Sequence, residues 1–227
     1  FSSARTYETT SQNVIGDIVG DERSNEVIVL DSHLDSWDQG TGAIDDAAGG
    51  AIILAAALEL VEGGRRPART VRVILYGSEE VAQPTPETGN GGGVYVRGVG
   101  DEAVADHIIA GESDFGADRV YALRLPPGAQ GSAFQTAATQ VLYPIGVLAS
   151  SVPETSGGAD VGPLAQAGVP VFRLAQDGSR YFDLHHTAND TLDKIDPEQL
   201  SQNVAAWSGL IWLIADSDVT FRQTPAE

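Results

Sequence analysis

The chain has 227 residues, 42% of them hydrophobic and 20% charged, a composition typical of a globular protein with a sizeable core. Its 32 acidic and 13 basic residues give a formal net charge of −19, which disfavours nucleic acid as a partner. No apolar stretch reaches the ~20 residues of a membrane-spanning helix, and without cysteine any metal site must use histidine, aspartate and glutamate.

The predicted elements alternate between strands and helices. In chain order they are a strand at 25–30, a helix at 47–62, strands at 70–76 and 107–110, helices at 133–142 and 161–167, a strand at 169–174 and a closing helix at 197–216. Short β-branched runs such as NEVIVL are typical of buried strands, and longer Ala- and Leu-rich runs are typical of helices. The segments 31–46 and 77–93 are predicted loops. This alternation predicts one α/β domain with helices on both faces of a sheet.

Histidines and carboxylates follow the predicted strands, where open α/β sheets bind their ligands. These residues are His33, Asp35, Asp45, Asp46, Glu79, Glu80, Asp114, His185, His186 and Asp190. Taken singly, each has an ordinary explanation as a surface histidine, a solvated acid or a helix cap. Several carboxylates brought together without cations would repel one another, so the whole set indicates a metal site. Mixed nitrogen and oxygen ligands suit zinc.

Four segments in this order resemble the M28 zinc peptidases, a family that includes aminopeptidases and the carboxypeptidase Q group. They are SHLDSWDQGTGAIDDAAGG, LYGSEE, GESDFG and HHTANDT, and the first looks closest to the carboxypeptidase Q group. The resemblance covers residues 13–216. It implies a three-layer sandwich whose central sheet is mixed and mostly parallel. It also implies that residues 1–227 form a single catalytic domain that lacks its N-terminal portion and a protease-associated insert.

The resemblance further implies a cofactor of two Zn²⁺ ions. The matching ligands are His33, Asp45, Glu80, Asp114 and His186. In the family pattern the carboxylate matched by Asp45 bridges both ions. His186 matches the ligand histidine because it directly precedes Thr187, which leaves His185 with a structural role.

Two residues match the family's catalytic positions outside the ligand set. Glu79 matches the general base, and Asp35 matches the acid that orients the ligand His33. The resemblance also implies a cis peptide bond between Asp45 and Asp46. Asp160 is either a residue that supports the site or a helix cap.

The implied activity is hydrolysis of the N-terminal peptide bond of dipeptides or short peptides with a free N-terminus. Two alternatives stay open: a glutaminyl-cyclase-like acyltransferase, and a non-catalytic binding module on the same fold. A homodimer or an association with the missing N-terminal segment is also open, and the expected location is secreted or periplasmic. The missing segment is expected to leave an unpaired sheet edge near Val27.

Three further features complete the sequence predictions. The segment 81–93 is richer in Pro, Thr and Gly than the family's usual link into a helix, which leaves the shape of the substrate pocket open. GVGDEA at 98–103 has the form of a dinucleotide-binding motif, but too few residues separate it from the next strand for a βαβ crossover. His107 is predicted to be a core or surface histidine.

Overall fold

The computed structural model describes residues 9–80 and 90–222. Strands in these residues are β1 (Val14–Ile18), β2 (Arg23–His33), β3 (Arg69–Tyr76), β4 (His107–Glu112), β5 (Val120–Arg124), β6 (Leu148–Ala149) and β7 (Arg173–Gln176). The α-helices are α1 (Ala48–Glu62), α2 (Gly91–Ala105), α3 (Ala133–Leu142), α4 (Gly162–Gln166), α5 (Tyr181–Leu184) and α6 (Pro197–Asp216). Within the described ranges, none of these helices has the length and apolarity needed to cross a bilayer.

The sheet is mixed, as predicted. One group of strands has the order β1-β3-β2-β4, in which β1 is antiparallel to β3 and the other pairs are parallel. A second group has the order β6-β5-β7, in which β5 is antiparallel to β7. A parallel bridge between Ala110 and Val171 links the two groups. Because β2 lies between β3 and β4, the expected unpaired edge near Val27 is wrong.

Strand alternation gives the sheet an apolar surface on each side. Ile28 and Leu30 of β2 pack into one core with residues of α1, α3 and α6. Val27 and Val29, which point the opposite way, pack into a second core with residues of α2 and α4. The predicted three-layer α/β arrangement, with helices on both faces, is therefore confirmed.

Helix α2 is absent from the sequence prediction, which treated its first residues as a loop. The run Gly91–Gly93 gives no apolar periodicity, but the side chain of Asn90 accepts the main-chain N–H of Gly93 and caps the helix. Asp160 is buried and accepts the N–H of Gly92, so it supports the start of α2. GVGDEA lies inside α2, with positive φ at Gly100, and does not join a strand to a helix.

Strand β2 is longer than predicted and carries the chain directly into the region of the candidate ligands. It continues through Asp31 to His33, where a loop was predicted. His33 pairs with Tyr76 at the end of β3, and Asp31 pairs with Glu112 at the end of β4. The carboxyl ends of three adjacent parallel strands therefore meet at one edge, and the loops that follow them converge there. Part of the predicted loop 77–93 lies outside the described residues.

Candidate metal centre

Asp45 lies at the centre of the converging loops, with one carboxylate oxygen toward each of two histidines. Its Oδ1 is 3.1 Å from Nε2 of His33, and its Oδ2 is 3.3 Å from Nε2 of His186. The residue sits in a tight turn between β2 and α1 and is only 3% exposed. The peptide bond between Asp45 and Asp46 is cis, as predicted. The geometry allows this carboxylate to contact two metal ions.

A second acid accompanies each histidine. Oδ1 of Asp114, in the loop after β4, is 3.7 Å from Nε2 of His33. On the other side, Oε2 of Glu80 is 2.8 Å from Nε2 of His186. The structure thus brings together all five residues matched to the family's ligands, as two histidine–acid pairs that share Asp45.

Trp37 and the backbone shape the Glu80 side of the centre. Nε1 of Trp37 donates to Oε2 of Glu80 at 2.6 Å, and the Trp37 ring lies 4.7 Å from the His186 ring. His186 has a φ of 59°, a left-handed conformation that is uncommon for residues other than glycine. Sequence reasoning did not assign Trp37, although it stands inside the matched SHLDSWD segment.

His185 lies closer to the centre than a purely structural role requires. Its Nε2 is 3.4 Å from Oδ2 of Asp45, and its ring stacks on that of His186 at 3.5 Å. Asp45, His185 and His186 offer ligand atoms within 4.8 Å of one another. The His185 ring also contacts the ring of Tyr181, at 4.9 Å between ring centroids. The geometry therefore admits His185 as a competing ligand.

Asp35 contacts its neighbours differently from the family-based expectation. Nδ1 of His33 is 2.8 Å from the main-chain carbonyl oxygen of Asp35, whereas the nearer carboxylate oxygen is 3.7 Å away. The carboxylate instead accepts the main-chain N–H groups of Ser78, Glu79 and Glu80, at 2.8, 2.9 and 3.1 Å. Asp35 therefore orients His33 through its backbone and holds the Glu79–Glu80 segment through its side chain.

Asp190 is a second supporting acid, and sequence reasoning gave it no role. It is 4% exposed, and its carboxylate accepts the main-chain N–H groups of Ile44 at 2.5 Å and Asp45 at 3.3 Å. Asp46 is held in turn by Ser32, whose hydroxyl donates to it at 2.6 Å. Asp190 thus fixes the turn that presents Asp45. Its position in the HHTANDT segment is the sequence feature that could have indicated this role.

Burial and mutual repulsion shift the ionisation of these groups. Burial, with a further contribution from Asp45, raises the pKa of Glu80 to about 8. Burial also raises the pKa of Glu79 above its ordinary value. Burial opposes protonation of His33, but the neighbouring carboxylates of Asp114 and Asp45 outweigh this effect and raise its pKa to about 12. The protein groups alone therefore compensate this concentration of negative charge incompletely.

The unpaired atoms of the centre fit a cation. Among the described residues, Asp45 Oδ2, Glu80 Oε1 and Asp114 Oδ1 are buried and accept no hydrogen bond. Buried carboxylate oxygens are costly unless they are hydrogen-bonded, paired with charge or coordinated to metal. Imidazole nitrogens and carboxylate oxygens in this mixture match the ligand preferences of zinc. The residues present therefore fit a zinc centre.

Comparison with known proteins places this arrangement in a family. The model of Peptidase family M28 matches residues 13–211. Carboxypeptidase Q from Mus musculus is 34% identical over 217 residues, which are 95% of this chain and 44% of the mouse protein. The chain thus spans less than half the length of that curated relative.

Solved structures agree with the sequence match. The crystal structure of a Peptidase M28 precursor from Shewanella amazonensis has a TM-score of 0.86 at 45% identity, covering 96% of this chain and 48% of that one. A zinc aminopeptidase from Bacillus subtilis shares the fold, with a TM-score of 0.69 at 18% identity, over 92% of this chain and 51% of that one. The family match covers most of the chain, and the chain belongs to peptidase family M28.

Proposed function

We propose that this chain is the catalytic domain of a two-zinc exopeptidase that hydrolyses the N-terminal peptide bond of dipeptides or short peptides. The observation that carries the proposal is the position of Asp45, whose two oxygens face His33 and His186. Each histidine has a further acid beside it, Asp114 or Glu80.

The ligand set accounts for the charge of the centre. His33 and Asp114 would hold one ion, Glu80 and His186 the other, and Asp45 would contact both. Three carboxylates contribute −3 against the +4 of two zinc ions. When bound, the ions would polarise the scissile carbonyl group and lower the pKa of a water molecule.

Glu79 is suited to move the proton in this reaction. It is half-buried next to the centre, and burial raises the pKa of its carboxyl group, which favours acceptance of a proton near neutral pH. Its main-chain N–H donates to Asp35, which fixes the backbone from which its side chain extends. Glu79 would accept a proton from the attacking water and donate it to the departing amine.

Hydrolysis of a dipeptide panel by the zinc-loaded protein tests the proposal. Free dipeptides should be cleaved, and the same peptides with an acetylated N-terminus should not. Release of ammonia from peptides with N-terminal glutamine, without hydrolysis, would favour the glutaminyl-cyclase-like alternative. Binding of peptides without any turnover would favour a binding module.

A further inference from the structure

A cavity of about 260 Å³ opens beside Asp114. Its floor is formed by strands β5 and β7, and its walls include the loop after β4 and the loop of Gly157–Ala159. The volume lies below the roughly 300–1,000 Å³ of pockets for drug-sized ligands, so it suits a ligand of one or two amino-acid residues. A group bound here would lie next to the candidate metal centre.

Two arginines on the cavity floor face each other across the strands. Arg124 of β5 and Arg173 of β7 are register partners in the antiparallel pair, and both line the cavity. Leu123, the neighbour of Arg124, packs into the core and does not line the cavity. Like charges directly opposite each other on neighbouring strands are destabilising. The pairing is therefore unfavourable unless negative charge compensates it.

Within the described ranges, an acid compensates only one of the two arginines. Nε of Arg173 is 3.3 Å from Oε2 of Glu154. Nε of Arg124 is buried without a hydrogen-bond partner, and no acid forms an ion pair with Arg124 in the described part of the chain. A buried N–H group of an arginine that lacks an acceptor is costly.

The nearby acids are already engaged by backbone donors. Glu112, which lines the cavity, accepts the main-chain N–H groups of Ala159, Asp160 and Val161. Glu154 accepts those of the residues 155–157. These bonds hold the cavity wall and occupy oxygens of both acids, while Nε of Arg124 keeps no acceptor.

We propose that this cavity binds a carboxylate of the substrate through Arg124 and Arg173. The proposal rests on the proposed function and makes it more specific, because it selects peptides that carry a carboxylate near the scissile bond. The planar guanidinium group is suited to carboxylates, which it can bind through two parallel hydrogen bonds. The carboxylate belongs either to the C-terminus of a dipeptide or to an acidic side chain.

The test compares kcat/KM for matched substrates. Ala-Ala against its C-terminal amide reports on a C-terminal carboxylate, and Ala-Glu amide and Glu-Ala amide against their glutamine counterparts report on an acidic side chain. We expect one of these pairs to favour the carboxylate at least about tenfold. Arg124→Gln should lower kcat/KM for the preferred carboxylate substrate about 10- to 100-fold, mainly by raising KM. The kcat/KM for the matched uncharged substrate should change little. Arg66→Gln, at an exposed position, is the control for loss of one positive charge.

Two outcomes would overturn the proposal. One is that the wild type cleaves carboxylate and amide substrates equally well. The other is that Arg124→Gln lowers both equally with unchanged zinc content. Titration calorimetry on the Glu79→Gln variant measures binding without turnover. A wild type that hydrolyses no peptide, but whose Glu79→Gln variant binds the carboxylate through Arg124, would disprove only the proposed function.

Discussion

The carboxylate of Asp35 accepts the main-chain N–H of Glu79 at 2.9 Å. The same carboxylate accepts the flanking N–H groups of Ser78 and Glu80. Ser78 has a φ of 85°, a conformation that an L-residue with a side chain adopts only when its surroundings hold it. Asp35 therefore fixes the backbone from which both glutamates reach the candidate metal centre, while its carbonyl oxygen orients His33.

Asp35→Asn should weaken binding of the zinc ion beside Glu80 and leave binding of the ion beside His33 largely unchanged. Asparagine keeps the main-chain carbonyl that contacts His33 but loses an acceptor for the Glu79–Glu80 backbone. Loss of such outer contacts costs about 10- to 100-fold in metal affinity or activity. Competition with a chromophoric chelator measures both zinc affinities, and Asp38→Asn, at an exposed position, is the control.

A second variant separates the two roles of Asp35. In a Glu80→Gln background, which already lacks one ligand, Asp35→Asn should cause little further loss of the remaining zinc. A further loss of tenfold or more would mean that the carboxylate acts on His33 itself, as the family pattern implied.

Glu79→Gln should abolish turnover but retain peptide binding and both metal ions. Glutamine has nearly the same size but cannot accept the proton, and loss of a general base costs about 10²- to 10⁴-fold in rate. Glu80→Gln should instead lose zinc, because Glu80 contacts His186 directly. Activity and zinc content of both variants decide the point. If Glu79→Gln keeps near-normal activity, or loses as much zinc as Glu80→Gln, then Glu79 is not the general base and the roles given to the two glutamates are wrong.

The two adjacent histidines should differ in their effect on metal content. We expect two zinc ions per wild-type chain, one ion in His186→Asn and two in His185→Asn. Among the described residues, His186 contacts two acids, Asp45 and Glu80, whereas His185 contacts Asp45 alone. Elemental analysis after zinc reconstitution and dialysis measures the content. Equal losses in both variants would identify His185 as a ligand, and one ion or fewer in the wild type would contradict the two-zinc centre.

The sequence predicted best where the pattern of residues determines structure locally. Helices α3 and α6 have the predicted bounds, since apolar periodicity and the Asp196 and Ser132 caps act within one segment. Helix α2 was missed because its start rests on glycines held by Asn90 and on contact with Asp160, 68 residues away from Gly92. Motif resemblance found the candidate ligands, but the contacts of Asp35 and Asp190 depend on which atoms the fold brings together.

His107 should make stability depend on pH below neutrality. Burial lowers its pKa below the ordinary 6.5. Arg72 and Arg222 act in the same direction, and the hydrogen bond to Ala103 and the charge of Asp106 only partly oppose them. Its Nδ1 donates to the carbonyl oxygen of Ala103, and its Nε2 lies 2.6 Å from the Tyr95 hydroxyl and accepts from it. Protonation of Nε2 would place two donors against each other.

The sign of the dependence follows from this lowered pKa. Between the folded and unfolded pKa values the unfolded chain binds the additional proton, so stability is lost as the pH falls below about 6.5. The free energy of unfolding can be measured with urea, in the presence of chelator, between pH 5 and 7.5. Its increase with pH should be smaller in His107→Gln than in the wild type, by up to about 1.4 kcal/mol per pH unit. Identical slopes in the two proteins would show that His107 does not contribute.

Asp190→Asn should weaken both the fold and the metal centre. The carboxylate accepts the N–H groups of Ile44 and Asp45 inside the protein, and an asparagine amide group would turn a donor toward one of them. A buried donor left without an acceptor costs about 1–3 kcal/mol, which urea unfolding in chelator measures directly. The main-chain carbonyl oxygen of Asp190, which accepts from Thr41, is unaffected by the change.

Zinc should enlarge this difference in stability. A ligand stabilises the folded state in proportion to the logarithm of its affinity, and a displaced Asp45 would bind zinc less tightly. The loss of unfolding free energy in Asp190→Asn should therefore be greater with saturating zinc than in chelator. Asp183→Asn, at an exposed position on the same stretch of chain, should change neither value. If Asp190→Asn loses the same free energy with and without zinc, Asp190 supports only the fold and the turn presents Asp45 without its help.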